Sequence, residues 1–396
     1  MPDLAKAHKN HTYIDDVETL QTLCNYLVSL EFITIDTEFV RSRTLFPALG
    51  LVQVFDGEEV YLIDTVAIDD LSSLKPVLTQ PNLLKIIHSC SEDLDALSYN
   101  IGAFPSPVFD TQIAANLLGL GNSIGYANLV EKICRIRLDK AESRTDWISR
   151  PLSNRQLDYA AADVTFLYAV YLHLKPRIDD KGWSDILFEE VTLIEQKKAK
   201  PLPAEFAYLG YSNSWKLKQK NLCALKRLAE WRLIEAQTKN IAVNFVMREQ
   251  SVLDISIKLP RSVAFLSQIN SITGKQVRLY EAKILEIITQ VESDTSDCYP
   301  PLIQRLNDFP LYKKVGNAIK SVVAENALKT HIPEPLMASK KQINDVLKWL
   351  WFDINELDLR AIKPDLLSGW RREMLINQIE TVVFSELRGT DVLRSL

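Results

Sequence analysis

The stretch FITIDTEFV, Phe32 to Val40, sets the expectation for the fold. Its first four residues are apolar or β-branched and lead into the pair Asp36 and Glu38, a pattern typical of a buried strand that ends in carboxylates. Residues i and i+2 of a strand point to the same side, roughly 6 to 7 Å apart. The two carboxylates can therefore face one cation.

Two further acidic blocks follow this strand. Asp93 lies in HSCSEDLDAL, and the helical spacing of apolar residues from Asn154 to Leu174 places Tyr159 and Asp163 one turn apart on one helix face. Converging carboxylates repel one another, whereas two divalent ions about 3.5 to 4 Å apart would stabilise them. Ligands that are all oxygen suit Mg²⁺ or Mn²⁺. The blocks together predict a two-metal phosphodiesterase site.

Each block alone is weak evidence, because D-x-E after a strand is commonly a solvated strand end and Y-x-x-x-D an ordinary surface pair. In this order, however, the blocks resemble the three exonuclease motifs of the DEDD superfamily. The text LDKAESRTDWISRPLSNRQLDYAAADV, Leu138 to Val164, resembles ribonuclease D. The histidine of one subclass would fall at Asp158, so the chain resembles the subclass that has tyrosine, here Tyr159. His88 is expected to pack beside the site rather than bind metal.

The resemblance implies an α/β RNase H-like exonuclease domain with a mixed sheet, followed by two all-α helical domains. It implies that Asp36 bridges two divalent ions, Mg²⁺ or Mn²⁺, that Glu38 and Asp163 complete the first, and that Asp93 holds the second. Tyr159 would orient the attacking water. The activity implied is 3′-to-5′ exoribonuclease action that releases nucleoside 5′-monophosphates and trims the 3′ ends of tRNA precursors and other structured RNAs.

Two breaks are expected in the chain, a linker at Pro201 to Ser214 and a second at Ser293 to Pro301. Beyond the first, strand patterns vanish and an internal repeat aligns Asn244–Pro260 with Glu334–Leu350 without a gap. The first copy resembles the HRDC domain of ribonuclease D and of RecQ-type helicases, and the second is a weaker match. We expect an exonuclease domain over 1–205, an HRDC domain over 206–293 and an HRDC-like domain over 294–396.

Charge argues against a general phosphate binder, since the chain carries a net charge of −5. A local segment from Lys197 to Arg232 nevertheless has nine basic and two acidic residues, with aromatic residues interleaved. A solvated linker and helix face explain this segment equally well. The same alternative applies to the arginines after the first motif. The candidate RNA contacts are Arg41, Arg43, Lys216, Lys218 and Lys220.

Composition favours a cytoplasmic protein. The five cysteines are widely spaced without a C-x-x-C pair, the N-terminus lacks an apolar signal core, and no apolar run could span a bilayer. We expect a monomer without an obligate protein partner. Two other functions stay open: a DNA 3′-5′ exonuclease, although a Walker loop is lacking, and a catalytically silent RNA-binding scaffold, which the intact carboxylates oppose. No residue in the sequence indicates whether the substrate is RNA or DNA.

Overall fold

A computed structural model of the protein describes residues 10–138, 142–143 and 145–387. The outer ends of the predicted first and third domains therefore lie outside the described residues. So do residues 139–141 and 144 of the stretch that resembles ribonuclease D.

Six strands form one mixed sheet, as predicted. They are β1 (His11–Ile14), β2 (Phe32–Val40), β3 (Ala48–Phe55), β4 (Val60–Asp64), β5 (Leu84–Ile87) and β6 (Val108–Asp110). Their order is β1-β4-β3-β2-β5-β6, with β3 antiparallel to both neighbours and the other pairs parallel. The two edge strands, β1 and β6, are short, with four and three residues. The strand β2 that carries the D-x-E pair is central.

Among the described residues, seven helices surround this sheet, and we call the whole unit the sheet domain, residues 11–199. They are α1 (Val17–Leu27), α2 (Leu74–Thr79), α3 (Ser91–Ile101), α4 (Thr111–Leu117), α5 (Tyr126–Cys134), α6 (Asn154–Asp180) and α7 (Ser184–Ala199). Alternate residues of β2 face opposite sides of the sheet. Ile33 and Ile35 are buried in a core with residues of α1 and α3, whereas Thr34 donates a hydrogen bond to the Val164 carbonyl of α6 at 2.8 Å.

A charged side chain lies in the sheet interior, at Lys85 of β5. It is fully buried, and its Nζ donates to the carbonyls of Gln80 at 2.9 Å, Leu83 at 2.7 Å and Ser106 at 2.5 Å. Burial lowers its pKa to about 8. The three bonds satisfy all three ammonium hydrogens and tie two loops to the end of the sheet.

The rest of the described chain is helical, which confirms the prediction that strands end with the first domain. The first helical domain comprises α8 (Gln219–Lys239), α9 (Val243–Val246), α10 (Glu249–Lys258), α11 (Val263–Leu266) and α12 (Gly274–Ser293). The second comprises α13 (Tyr312–Thr330), α14 (Glu334–Met337), α15 (Lys340–Trp351), α16 (Glu356–Leu359) and α17 (Gly369–Glu386). Short 3₁₀ helices lie at Ala204–Gly210, Ser214–Lys216, Ser296–Cys298, Leu306–Asp308 and Asp365–Leu367.

The internal repeat is visible at two aligned methionines. Met247 and Met337 are both fully buried, and the carbonyl of each accepts a hydrogen bond from an arginine. Arg232 Nε of α8, the helix before Met247, donates to the Met247 carbonyl at 2.6 Å, whereas Arg371 Nε of α17, well after Met337 in the chain, donates to the Met337 carbonyl at 2.9 Å. The two copies therefore share a backbone turn but stabilise it from different helices.

The predicted linker from Pro201 to Ser214 is wrong. This segment contains a 3₁₀ helix that packs on α8, and its Tyr208 and Tyr211 are only 1% and 8% exposed. The Tyr211 hydroxyl accepts a hydrogen bond from Arg232 Nη1 at 2.7 Å. Its prolines and glycine suggested a loop, but burial of two tyrosine rings makes the segment part of the first helical domain.

One apolar core runs from the sheet domain into the second helical domain. It includes Leu187 of α7 together with Leu375 and Ile379 of α17. At its edge Arg371, whose side chain is 2% exposed, forms an ion pair with Glu190 of α7. The first helical domain has a core of its own. The second helical domain therefore covers apolar surface that the sheet domain would otherwise expose.

Candidate active site

Strand β2 brings Asp36 and Glu38 to the α6 side of the sheet, as the D-x-E spacing predicted. Both side chains are half-buried, and the pairing with β3 shifts register between Glu38 and Phe39. Thr37, between the two carboxylates, points to the opposite side. The strand therefore presents two acids on one face and a hydroxyl on the other.

Helix α6 supplies the tyrosine and the third acid of this group. It begins with a capping box, in which Ser153 Oγ accepts from the Gln156 N–H at 3.2 Å and Gln156 Oε1 accepts from the Ser153 N–H at 3.0 Å. This start fixes the register of the next turns, where Tyr159 and Asp163 lie on the side that faces β2. The bond from Thr34 to the helix carbonyl holds α6 against that strand.

Three carboxylates converge at this point. Asp36, Glu38 and Asp163 each offer an oxygen, and these atoms lie within 4.8 Å of one another. The Tyr159 hydroxyl donates a hydrogen bond to Asp163. All four line a cavity of about 280 Å³. An oxygen-only donor set of this kind fits a hard divalent cation.

Asp93 lines the same cavity but lies outside that close group. It is 7% exposed, near the start of α3, and its Oδ1 accepts a hydrogen bond from Thr37 Oγ1 at 2.5 Å. The sequence reasoning missed Thr37, although this residue stands between the two acids of the first motif. Its hydroxyl fixes Asp93 across the strand from Asp36 and Glu38.

Burial and mutual repulsion both favour protonated carboxyls here. Burial, and then the neighbouring Asp163, raises the pKa of Asp36 to about 8. Burial raises the pKa of Asp163 to about 7, against the opposing hydrogen bond from Tyr159, and the pKa values of Glu38 and Asp93 are also raised. A divalent cation would replace these protons, so the electrostatics also fit a metal site.

Two more residues of the cavity wall are held by hydrogen bonds. His88 uses both ring nitrogens, with Thr111 Oγ1 at 2.9 Å and the Ile124 carbonyl at 3.1 Å, so it packs beside the acids as predicted. The Tyr126 hydroxyl donates to the Asp163 carbonyl at 2.5 Å. Tyr126 was not predicted, since it lies in no motif and reaches the site only through the packing of α5 on α6.

Most basic residues of the segment from Lys197 to Arg232 bond to protein groups, which favours the alternative of a structural role over RNA contact. Of the nine basic residues from Lys197 to Arg232, six bond to protein groups: Lys197 to Asp365, Lys198 to Asp95, Lys200 to the Ala361 carbonyl, Lys226 to Glu205, Arg227 to Asp294, and Arg232 to the Met247 carbonyl. The partners of Lys197, Lys198, Lys200 and Arg227 lie 67 or more positions away in the sequence, so composition could not reveal them. The three left are the candidates Lys216, Lys218 and Lys220, around the start of α8, and none lines the carboxylate cavity.

The two candidate arginines lie on the exposed loop after β2. Arg41 is engaged, because its Nε donates to the Leu45 carbonyl at 3.0 Å and its Nη1 lies 3.4 Å from Glu92. The carbonyl of Arg43 accepts from the Ala242 N–H at 2.8 Å. Neither lines the cavity.

Comparison with protein families divides the chain as the fold does. Residues 11–179 match the 3′-5′ exonuclease model, residues 222–288 the HRDC domain, and residues 310–379 the ribonuclease D C-terminal HRDC domain. No helix in the described part of the chain combines the length and apolarity needed to cross a membrane.

Known proteins match over most of the chain. Ribonuclease D of *Escherichia coli* is 36% identical over 94% of this chain and 98% of its own length, and that of *Haemophilus influenzae* is 36% identical over 91% and 89%. The crystal structure of *E. coli* RNase D, described as an exoribonuclease involved in structured RNA processing, superposes with a TM-score of 0.90 at 35% identity, over 95% of this chain and 99% of that one.

Proposed function

The chain belongs to the ribonuclease D family and is a 3′-5′ exoribonuclease, and we propose that it trims the 3′ ends of structured RNAs such as tRNA precursors. The main support for an active site here is that carboxylate oxygens of Asp36, Glu38 and Asp163 lie within 4.8 Å of one another. The processing of structured RNA ascribed to the *E. coli* relative supports the choice of substrate.

We assign the site to two divalent ions, Mg²⁺ or Mn²⁺. Asp36, Glu38 and Asp163 would hold one ion, and Asp93, with Asp36 as the shared ligand, would hold the other. When bound, such ions supply an ionised water as the nucleophile and neutralise charge on the cleaved phosphodiester. The raised pKa values of the four carboxyls support this assignment, because the site binds protons where it lacks cations.

Tyr159 acts as a hydrogen-bonding group rather than a base. Burial, and then the nearby carboxylates, raises the pKa of its hydroxyl above its ordinary value, so the phenol keeps its proton at neutral pH. Its bond to Asp163 and its ring contact with buried Trp147, at 6.2 Å between centroids, fix the hydroxyl over the acids. From there it orients the attacking water.

We propose that the helical domains contact the body of the RNA, with Lys216, Lys218 and Lys220 as phosphate contacts and Arg41 and Arg43 nearer the acids. The boundary at residue 293 is part of this proposal, and the expected boundary at residue 205 moves to the end of α7 at Ala199, because the segment from Pro201 to Ser214 packs with the first helical domain. The division is supported by the separate core of the first helical domain.

We also propose a cytoplasmic location, which is supported by the five cysteines, all of them free as in a reducing compartment. We propose in addition that the protein is a monomer, which light scattering would test.

The direct test compares a 3′-extended tRNA precursor, single-stranded RNA and single-stranded DNA, each with Mg²⁺ and with EDTA. We expect nucleoside 5′-monophosphates from both RNAs in Mg²⁺ alone. Asp36→Asn is the matched control, because it keeps the shape of the side chain and removes the shared ligand. Full turnover in EDTA would refute the metal assignment, and equal degradation of DNA would favour the alternative DNA exonuclease.

A further inference from the structure

The loop between β2 and β3 reaches into the first helical domain. We call residues 41–47 the anchor loop; it begins three residues after Glu38. Leu45 packs against the core of the first helical domain. Two hydrogen bonds flank it: the Ala242 N–H donates to the Arg43 carbonyl at 2.8 Å, and the Phe46 N–H donates to Asn240 Oδ1 at 3.0 Å.

The anchor loop also contacts α3, the helix that contains Asp93. Arg41 Nη1 lies 3.4 Å from Glu92, the residue before the second motif acid, and 3.7 Å from Asp95, two residues after that acid. Further along α3, the ring of Phe46 stacks on Tyr99 at 4.2 Å between centroids, and Asn100 Nδ2 donates to the Pro47 carbonyl at 3.1 Å. One loop thus joins the strand of the first motif to the helix of the second.

Asn240, whose side chain bonds to the anchor loop, suits its position at the end of a helix. Asn240 ends α8 in the left-handed region, with φ of +46°, which asparagine tolerates better than most residues. This turn aims its side-chain oxygen at the anchor loop. The contact therefore depends on the end of a helix in the first helical domain, outside the sheet domain.

We propose that the first helical domain is a positioning element for the catalytic acids, and that its Asn240 turn, by holding the anchor loop, sets the spacing between Glu38 and Asp93. This inference rests on the proposed function, in which both acids hold cations. A displacement of about 1 Å at a reacting centre can cost on the order of 100-fold in rate. Loss of the contact should therefore impair turnover even of RNAs too short to reach the helical domains.

Three variants test the contact between the anchor loop and the first helical domain, and a fourth is a control. Asn240→Gly keeps the left-handed turn and deletes the acceptor for Phe46, whereas Asn240→Asp keeps an acceptor. Ala242→Pro removes the N–H that bonds to Arg43, at a φ of −56° that proline already prefers. Ile288→Val, in the core of the same helical domain, is the control for general loss of stability.

The measurements are kcat and KM on a short single-stranded RNA, and Mn²⁺ affinity by calorimetry, on the full chain, with circular dichroism to verify folding. We expect Asn240→Gly and Ala242→Pro to lose about 10- to 100-fold in kcat and several-fold in Mn²⁺ affinity. Asn240→Asp and Ile288→Val should stay near wild type.

Unchanged kcat and Mn²⁺ affinity in both damaging variants would overturn the proposal. A rise in KM with unchanged kcat in these variants would also overturn the proposal, because it would mean that the anchor loop contacts RNA instead of positioning the acids. A wild-type protein that bound no Mn²⁺ and left RNA intact would instead refute the proposed function, so the two failures are distinguishable.

Discussion

Asp163→Asn should stabilise the metal-free protein, although it removes a ligand of the site. Asp163 is 8% exposed, and burial raises its pKa from 3.8 to about 7. Between these values the unfolded chain releases a proton that the folded protein keeps, so the free energy of unfolding falls as pH rises. Asparagine cannot ionise, and its Oδ1 can still accept the bond from Tyr159.

The size of the effect follows from the pKa difference of about three units. One unit corresponds to about 1.4 kcal/mol, so the variant should exceed wild type by about 4 kcal/mol at pH 8, with little difference near pH 3. Mg²⁺ should narrow this gap, since a ligand at 100 times its Kd stabilises the protein that binds it by about 2.7 kcal/mol, and at 1,000 times its Kd, about 4.1 kcal/mol, it should close the gap.

Urea unfolding in EDTA, followed by circular dichroism at several pH values, measures this difference. Comparing variant with wild type cancels the titration of groups that do not interact with Asp163. Asp36 and Glu38 do interact with it, and losing its charge lowers their raised pKa values, which stabilises the variant in the same direction. Asp158→Asn, exposed on the same helix, is the control for the chemical change itself. If Asp163→Asn proved no more stable than wild type at pH 8 in EDTA, the electrostatic account of the site would be wrong.

Three further predictions concern single side chains. Tyr159→Phe should lose about 10- to 1,000-fold in kcat with unchanged Mn²⁺ affinity, measured by single-turnover kinetics and calorimetry; full activity would reduce Tyr159 to packing. Lys85→Met leaves three carbonyls without their donor and should destabilise the fold by about 3 kcal/mol in urea unfolding, with kcat of the folded protein unaltered. Arg371→Leu removes the ion-pair partner of the partly buried Glu190 and should lower the free energy of unfolding by about 3 to 5 kcal/mol. The double variant with Glu190→Gln should recover part of that loss, and additive losses would contradict the pairing.

The parts of the site that depend on local periodicity were predictable. Two-residue spacing on a strand placed Asp36 and Glu38 together, and four-residue spacing on a helix placed Tyr159 above Asp163. The resemblance assigned Asp93 to a second ion, but the sequence did not predict what holds this acid in place, which is a hydrogen bond from Thr37 of β2 to Asp93 of α3. That bond depends on the packing of α3 rather than on spacing within a motif.

Errors arose where tertiary contacts overrode local composition. Pro201 to Ser214 has the composition of a linker, yet the burial of Tyr208 and Tyr211 fixes it to α8. Six of the nine basic residues from Lys197 to Arg232 have acid or carbonyl partners, four of them 67 or more positions away in sequence, so a count of charges could not reveal whether they face solvent. The core shared with α17 was equally hidden, since apolar periodicity shows that a helix has a buried face but not what covers it.

That shared core has a consequence for how the protein is made. Leu187 and Leu375, which lie in the same core, are 188 positions apart, and ribosomes add about 5 to 20 residues per second. For roughly 10 to 40 s of synthesis, the growing chain therefore holds all its catalytic acids while an apolar face of α7 lacks its cover. Weakening substitutions in α17 should consequently appear in cells as lower yield and greater dependence on chaperones, with the specific activity of the surviving molecules unchanged.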